Sequence, residues 1–489
     1  MIDKIARLSK DTLIYGTSTV LGRLLNFLLV PIYTNFLSPS DYGITAYVYS
    51  LIAFLNVLYN YGMESAYFRY SSSQEIGTPK QNFSTPFISI AATSFIFSGI
   101  LISLTTPITE AVNIPLHYSS IILYSGLILF FDALAIVPFA LLRQANKAKL
   151  FATIKFLNIV INVSLNILLL VKYEMGIEGI FISGTIASLI TFIFLLPTIL
   201  RNLTFNFSGE LYKTLLKFGL PSLPAGFALM IIQVIDRPIL RALTDNASVG
   251  IYQANYKLGI FMMLVVSMFD YAWKPFFFAR AKDDNAKELF ARITTYFFLL
   301  MSFVLLVITF FIEDIVKIQI SGRFIIHPDY WVGLNIIPII MLGYLFYGLS
   351  LTFSAGIYLE KKTIYLPIIT FTAAAVNVVM NFLLIPAIGI TGAAIATLTS
   401  YLTMSVLMYF YSQKFYKINY EFIRILKVTF AVALTFILFS IFPPTDYHLI
   451  VKVLLIVVFV ILLYLFKFFR KGEINRLKQL LSSFGNKKP

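Results

Sequence analysis

Apolar runs of the length that a lipid bilayer requires follow one another along the chain. A transmembrane helix needs about 20 consecutive apolar residues. About 14 such runs are present, at residues 12–34, 43–68, 83–106, 118–142, 151–171, 177–200, 215–236, 250–273, 293–313, 331–358, 365–386, 388–411, 425–442 and 449–468. Charged residues make up only 12% of the chain, whereas about a quarter is usual in soluble domains. The sequence therefore predicts an all-α polytopic membrane protein.

Positive charge is distributed unevenly between the predicted loops. The formal net charge is +15, and most of the 38 Lys and Arg residues lie in alternate loops and at the two ends of the chain. Cytoplasmic loops of membrane proteins carry such an excess. We therefore predict a multi-pass membrane protein with both termini in the cytoplasm. The basic residues then indicate orientation and attraction to anionic lipid, and no nucleic-acid partner is predicted.

Two parts of the chain repeat each other at an offset of 207 residues. Pro31-Ile32, Gly43-Ile44 and Tyr49 match Pro238-Ile239, Gly250-Ile251 and Tyr256. A second echo pairs Asn162, Asn166 and a Gly-Ile-x-Gly turn at 176–179 with Asn377, Asn381 and the same turn at 389–392. Copies of six spans share one orientation, which predicts two six-helix lobes related by a pseudo-twofold axis along the membrane normal. The predicted domains are residues 1–203, 204–413 and, for two additional helices and a basic cytoplasmic tail, 414–489.

Charges inside spans are costly and usually face a partner or a cavity. Arg23 lies near the middle of the first span, on a polar helix face that also carries Asn26. Its guanidinium is suited to bind a phosphate group; alternatively, Asp132 in span four neutralises it. Lys257 in span eight is a candidate second cationic contact, unless its side chain extends to the membrane surface.

Other charges are predicted to form ion pairs near the membrane surfaces. The expected pairs are Glu64 with Arg69, Asp236 with Arg237, and Asp270 with Lys274. Residues 280–292 predict a short cytoplasmic helix, and residues 468–484 predict a helix that lies on the membrane surface.

Asn377 and Asn381 lie one helical turn apart and share a face of span eleven. Their amide oxygens could bind a hard cation, but intramembrane Asn also serves hydrogen bonding between helices. The Asn162/Asn166 copy favours a shared packing role.

Motifs of common enzymes are absent from the sequence. It has no His-Glu-x-x-His, Gly-x-Ser-x-Gly, Walker A or Gly-x-Gly-x-x-Gly pattern, and no cysteine. We therefore expect a protein that is not an enzyme and has no cofactor.

The N-terminal region carries a family pattern. It consists of Leu13-Ile-Tyr-Gly16, Leu21-Gly-Arg-Leu-Leu-Asn26, Pro31-Ile-Tyr-Thr34, Leu37-Ser-Pro-Ser-Asp-Tyr-Gly43, Tyr61-Gly-Met-Glu64 and Arg69. This pattern resembles the start of bacterial polysaccharide and O-antigen flippases, members of the superfamily that also contains lipid II flippases and multidrug and toxin exporters. The predicted span count and charge layout extend the resemblance along essentially the whole chain.

The resemblance implies a flippase of the bacterial cytoplasmic (inner) membrane that works by alternating access between two lobes. Its substrate would be an undecaprenyl-diphosphate-linked oligosaccharide, moved from the cytoplasmic to the outer leaflet for O-antigen (lipopolysaccharide), capsule or exopolysaccharide synthesis. Arg23, Asn26, Lys257 and Asp132 are the expected lining of the basic cavity for the diphosphate and glycan. A polysaccharide polymerase and a chain-length regulator are the implied partners.

The related lipid II flippases also imply a sodium site. Matched residue by residue, it would comprise Asp236, Asn377, Asn381, the carbonyl of Ala393, and Thr397. Asn381 departs from the pattern, which has a carboxylate there, so weaker Na⁺ binding or coupling to H⁺ instead is expected.

Three rival functions remain at this point. Two belong to the same superfamily, a lipid II flippase and a multidrug exporter, and the mid-membrane Arg23 argues against an exporter of cationic drugs. The third is a membrane glycosyltransferase or polysaccharide polymerase, which should have a larger outer loop than this chain offers.

Overall fold

The structure, a computed structural model, is built almost entirely of α-helices, and it describes residues 22, 24–25, 27–73, 76–441, 448–470 and 472–473. The helices of the first half are α1 (Leu29–Phe36), α2 (Pro39–Asn60), α3 (Met63–Ser73), α4 (Pro79–Ser103), α5 (Thr105–Ala111), α6 (Ser120–Gln144), α7 (Ala148–Ile167) and α8 (Gly176–Asn202). Those of the second half are α9 (Gly209–Gly219), α10 (Leu223–Val234), α11 (Asp236–Leu243), α12 (Asn246–Leu258), α13 (Ile260–Arg280), α14 (Ala286–Val316), α15 (Ile337–Phe353), α16 (Ala355–Leu359) and α17 (Tyr365–Phe415). Two more helices follow, α18 (Phe422–Ile441) and α19 (His448–Leu465).

Short segments of other geometry join these helices. They are 3₁₀ turns at Leu116–Tyr118, Leu220–Ser222 and Pro328–Ile336, a π-helical turn at Leu168–Lys172, and two antiparallel strands, β1 (Gln319–Ile320) and β2 (Arg323–Phe324).

Long apolar helices confirm the predicted all-α membrane fold. Eleven of the described helical segments are long and apolar enough to cross a membrane, and Leu449–Leu465 forms a shorter apolar helix. The segment Tyr365–Phe415 contains two spans, because the backbone leaves helical geometry at Ile388 and Gly389. The chain folds back there, so that the Ser400 hydroxyl donates to the Ala373 carbonyl at 2.8 Å. Most of the first predicted span lies outside the described residues.

Both predicted Gly-Ile-x-Gly turns are present as turns. Gly176, at the start of α8, and Gly389, at the bend of α17, have φ angles of +56° and +55°. This left-handed backbone is one that glycine adopts without steric cost.

The predicted helix at 280–292 is wrong. Helix α13 ends at Arg280, and α14 begins at Ala286 and runs without interruption to Val316, so that Arg292 belongs to a long apolar helix. Most of the predicted surface helix at 468–484 lies outside the described residues.

The two repeat copies begin their matched helices in the same way. Ser38 caps α2 by accepting a hydrogen bond from the Asp41 amide, and Asp245 caps α12 by accepting one from the Ser248 amide. Such caps satisfy backbone amides that a helix N-terminus leaves unpaired. Since the offset is again 207 residues, the duplication extends to local hydrogen bonding.

Helices α2 and α12 cross each other at two matched glycines. A Cβ atom added to Gly43 would lie 1.7 Å from the carbonyl oxygen of Asn246, and one added to Gly250 would lie 1.9 Å from that of Pro39. Pro39 and Asn246 are themselves repeat partners, so the contact is reciprocal, as a twofold axis requires. The crossing joins the two halves of the chain at one end of the bundle.

The buried hydrophobic residues form two clusters, one mostly from the first half and one mostly from the second. Helices α18 and α19 pack together and against α14. Lys452 of α19 forms an ion pair with Asp314 of α14 at 2.6 Å. The domain boundaries at 203/204 and 413/414 remain predictions.

Candidate functional site in a central cavity

A cavity of about 840 Å³ opens inside the helix bundle. Most of its wall comes from α2, α6, α7 and α8 of the first half, with Gln253 and Lys257 of α12 and Ile260 of α13 contributed by the second half. Its polar lining includes Thr45, Tyr49, Glu64, Asp132, Arg143, Lys155, Asn158, Asn162, Ser188, Thr191, Gln253 and Lys257. The cavity therefore offers charged, amide and hydroxyl groups where the surroundings are apolar.

Five charged side chains line the cavity. Arg143, near the end of α6, forms an ion pair with Glu64 of α3. Asp132, in the middle of α6, is exposed to the cavity and accepts a hydrogen bond from the Ser188 hydroxyl at 2.7 Å. Lys155 and Lys257 are the two remaining charges, and with Asp132 they give this part of the lining an excess of positive charge.

Each of the two lysines lies near an aromatic ring. The Lys155 Nζ atom is 4.4 Å from the ring centroid of Phe139, and the Lys257 Nζ atom is 5.9 Å from that of Tyr33. Cations in such positions are attracted to the ring face, which holds both ammonium groups at the cavity wall.

Neutral polar groups extend along α7 and α8. The Asn158 side-chain amide donates to the Thr191 hydroxyl at 2.8 Å and to the Ala187 carbonyl at 3.0 Å. The hydroxyl of Tyr42, which also lines the cavity, is buried without a hydrogen-bond partner among the described residues. These groups are of the kind that hydrogen-bond sugar hydroxyls.

Two of the four predicted substrate residues lie at this cavity. Asp132 and Lys257, predicted from their depth in spans four and eight, both line it. Arg23 and Asn26 lie outside the described residues, so their contact with substrate, and the alternative pairing of Arg23 with Asp132, remain predictions.

Sequence reasoning missed Lys155 and Arg143. Both lie near the ends of predicted spans, where a basic residue is typical of a cytoplasmic loop. The predicted pairing of Glu64 with Arg69 is wrong, because Arg143 of another helix pairs with Glu64 instead. The predicted pair Asp270–Lys274 is confirmed, with 3.3 Å between the carboxylate and the ammonium.

The second half has its own charged site, which is closely packed. Asp236 and Arg237 form an ion pair of 2.6 Å and are only 2% and 5% exposed. The predicted pair is thus present and buried, and its position near the membrane surface remains a prediction. The Arg237 Nε atom donates to Gln253 at 3.0 Å, so the pair lies one side chain behind the cavity wall.

Asn377 and Asn381 bond to each other within α17. The Asn381 side-chain amide donates to the backbone and side-chain oxygens of Asn377, both at 2.9 Å. Asn166 donates to Asn162 in the same way at 2.8 and 3.0 Å. Both copies thus share this bonding within one helix, and the packing role between helices remains a prediction.

The predicted sodium residues fit a bound cation only in part. Asn381 Oδ1 and Thr397 Oγ1 are buried without a hydrogen-bond partner in the described part of the chain and could bind a cation. Both Asp236 oxygens, however, are engaged, Oδ1 by Arg237 and Oδ2 by the Tyr252 hydroxyl. Among the described residues, no three His, Asp or Glu side chains are grouped so as to hold a metal. As arranged, the site offers no open carboxylate to Na⁺.

Solved structures of transporters share this fold. The lipid II flippase MurJ in an inward closed conformation matches with a TM-score of 0.70 at 16% identity, over 93% of this chain and 98% of that one. An inward-facing multidrug resistance MATE family transporter of the MOP superfamily matches with a TM-score of 0.64 at 13% identity, over 80% and 94%. The MATE transporter VcmN of Vibrio cholerae, as its D35N mutant, gives 0.57 at 14% identity, over 84% and 96%.

No curated protein matches the sequence significantly. The family model described as polysaccharide biosynthesis protein matches residues 8–282, which include every helix that forms the cavity wall. Because that match spans more than half of the chain, this membrane protein belongs to the polysaccharide biosynthesis protein family.

Proposed function

We propose that this protein is a flippase that moves an undecaprenyl-diphosphate-linked oligosaccharide from the cytoplasmic to the outer leaflet of the bacterial inner membrane. The observation that carries the proposal is the cavity, where lysine side chains lie beside amide and hydroxyl groups able to hydrogen-bond sugars, inside an apolar bundle. Membership of a polysaccharide biosynthesis family supports a glycan substrate. The lipid tail would stay in the bilayer while the polar head passes through the protein.

The charge of the lining favours an anionic ligand. Glu64 neutralises Arg143, and Asp132 is opposed by Lys155 and Lys257. In a medium of low dielectric constant an unbalanced positive charge attracts a diphosphate strongly. Arg23, placed by the sequence on the first span, would add to that attraction. The same positive charge would repel a cationic drug.

The size and chemistry of the cavity favour a glycan beside the diphosphate. Its volume of about 840 Å³ lies in the upper part of the range of about 300–1,000 Å³ for small-molecule sites. Amides and hydroxyls of α7 and α8 line it, and these bind sugars without selecting for charge. We therefore assign the diphosphate to the lysines and the first sugars to this polar wall.

Alternating access would require the two halves to separate at one end at a time. The halves meet at the Gly43–Gly250 crossing, and α3 packs against α9 near the Glu64–Arg143 pair. Rocking about the cavity would open one of these contacts while the other stays closed. We place the Arg143 end at the cytoplasmic face, in keeping with the distribution of basic residues.

The test is transport by the purified protein in liposomes. A fluorescent undecaprenyl-diphosphate-linked oligosaccharide is added, and its exchange between leaflets is followed by quenching from outside. We expect exchange by the wild-type protein and at least a tenfold loss in Lys257→Gln, since about 1.4 kcal/mol of lost charge–phosphate attraction suffices for that factor. Lys274→Gln is the matched control, because Lys274 lies on α13 outside the cavity and should leave exchange unchanged.

Other outcomes would replace the proposed substrate. Faster exchange of lipid II would assign the protein to the lipid II flippases, whose fold it shares. Export of a cationic dye with no exchange of glycolipid would assign it to the multidrug exporters. In cells, deletion of the gene should cause the lipid-linked glycan to accumulate on the inner leaflet, ahead of the polymerase and chain-length regulator that we propose as partners.

A further inference from the structure

The buried pair of Asp236 and Arg237 is held by many contacts. The Arg237 guanidinium donates to Asp236 at 2.6 Å, to the Gln233 carbonyl at 2.7 Å, and to the Gln253 side chain at 3.0 Å. Its carbon lies 4.2 Å from the ring centroid of Tyr256. Because so many groups bind it, the Arg237 guanidinium is a positive charge that the fold holds in one position.

Acceptor oxygens without partners lie on the helix that packs against this pair. Helix α11, which begins at Asp236, contacts α17. On α17, Asn381 Oδ1 and Thr397 Oγ1 are buried without a hydrogen-bond partner among the described residues. Tyr401, one turn beyond Thr397, has its ring centroid 6.0 Å from that of Tyr344, which donates to the Tyr256 hydroxyl beside Arg237.

The first copy shows what has changed here. There the Asn166 oxygen accepts a hydrogen bond from the Tyr33 hydroxyl at 2.9 Å. The repeat partner of Tyr33 is Leu240, which has no hydroxyl, and the matching Asn381 oxygen has no donor within the part of the chain that the structure describes. The second copy thus combines a carboxylate with unpaired oxygens, the ligand type that hard cations prefer.

We propose that Arg237 is the built-in cation of this site, so that its guanidinium takes the place of Na⁺ and the protein's conformational balance does not depend on sodium. A tethered cation already neutralises Asp236, and a free ion would have to displace it from four groups. Removing the guanidinium should turn the site into one that responds to sodium. The proposal concerns the ion dependence of the proposed transport, but its test needs no substrate.

The experiment measures the unfolding temperature of the purified full-length protein in NaCl, KCl and choline chloride at equal ionic strength. The wild-type protein should unfold at the same temperature in all three salts. Arg237→Gln leaves the Asp236 carboxylate without its cation, and we expect NaCl to raise its unfolding temperature by about 2 °C or more relative to KCl. The double variant Asp236→Asn/Arg237→Gln should lose that difference.

Two controls separate this effect from a general one. Arg241→Gln removes a guanidinium one turn along the same helix, where it contacts other groups, and should remain insensitive to sodium. Arg237→Lys keeps the charge and should remain insensitive too. A selective rise in NaCl for the wild-type protein or for Arg237→Lys overturns the proposal, as does a folded Arg237→Gln without a sodium response. If Arg237→Gln does not fold, the measurements on the wild-type protein and on Arg237→Lys still test the proposal.

Discussion

The two halves of the chain share a repeat, yet the first half contains most of the cavity wall, whereas the matching region of the second half is filled by packed side chains. In the first half, Tyr49 stacks on Phe181 at 5.1 Å and faces the cavity. Its repeat partner Tyr256 packs over Arg237 and accepts a hydrogen bond from the Tyr344 hydroxyl at 3.0 Å. The same tyrosine therefore serves as cavity wall in one copy and as core in the other.

A few substitutions between the copies account for this difference. Leu29, Val30 and Thr45 of the first copy correspond to Asp236, Arg237 and Tyr252 of the second. In the second copy, Asp236 and Arg237 form an ion pair and Tyr252 adds an aromatic ring, and these side chains fill the corresponding space. Ala46 of the first copy corresponds to Gln253 of the second. The small Ala46 side chain leaves room in the cavity wall, whereas the Gln253 side chain extends from the wall to Arg237. The two copies share the scaffold, and side-chain size and charge decide which half contains the cavity.

The largest effect is expected where the two copies touch. Gly43→Ala or Gly250→Ala would place a Cβ atom within 2 Å of a backbone carbonyl of the other copy, and backbone cannot rotate away as a side chain can. We expect either change to reduce the free energy of unfolding by more than about 5 kcal/mol, beyond the usual cost of overpacking. Thermal unfolding of purified protein measures this.

Gly99→Ala is the control for that prediction. Gly99 lies in α4, and a Cβ atom there would meet nothing within 4 Å. Alanine should stabilise the helix by up to about 1 kcal/mol. Equal unfolding temperatures for Gly43→Ala and Gly99→Ala would show that the crossing is looser than described.

The buried pair gives the second largest effect. Arg237→Val or Asp236→Leu alone leaves an unpaired buried charge, which costs about 3–5 kcal/mol. The double variant restores the apolar residues of the first copy at both positions and should cost much less than the sum of the two. A double-mutant cycle of unfolding free energies measures the coupling. Additive losses would mean that the charges do not stabilise each other.

Much of the fold could be predicted, because hydropathy and glycine turns are local signals. The bend at Gly389 follows from a short motif. Asp132 and Lys257 were found for a similar reason, since a charge in the middle of an apolar run is conspicuous. The sequence carries no comparable signal for Lys155, because its neighbours are typical of the end of a loop. Only the packing of α7 places its side chain at the cavity.

Partners from different helices were the hardest to predict. Glu64 pairs with Arg143, which lies far away in sequence, whereas a local pattern points to Arg69 on the same helix. The burial of Asp236 and Arg237 depends on the tyrosines of three other helical segments, which no local pattern reveals.

A third prediction concerns the hydroxyl that the second copy has lost. Tyr33→Phe removes the donor to Asn166 and leaves a buried amide oxygen unpaired, as Asn381 Oδ1 is already. We expect a loss of about 1–2 kcal/mol in unfolding free energy. Tyr42→Phe is the matched control, because its hydroxyl has no partner among the described residues, and it should cause no loss of stability. Equal losses would rule out the specific role of the Tyr33 bond.

The smallest effect is expected at a contact that only the second copy can make. Arg241, whose repeat partner is Thr34, donates to the carbonyls of Val112 and Asn113 at 2.7 and 2.5 Å and lies 4.0 Å from the ring centroid of Tyr47. These bonds tie the second half to the first near the glycine crossing. Arg241→Met keeps the length of the side chain and removes the donors. We expect it to weaken closure of this end by about 1 kcal/mol, which corresponds to roughly a fivefold larger open population.

The chain has no cysteine, so a single Asn113→Cys reports on this end without background labelling. Its reaction with a membrane-impermeant maleimide should be about five times faster in the Arg241→Met background than in the parent, if opening precedes labelling. Thr34→Val, at the matched position of the first copy, removes only a hydroxyl bonded to its own helix at 3.2 Å and should leave the rate unchanged. Equal acceleration by both substitutions would mean that the two copies close this end symmetrically, and that the asymmetry between the halves is confined to the cavity and the buried pair.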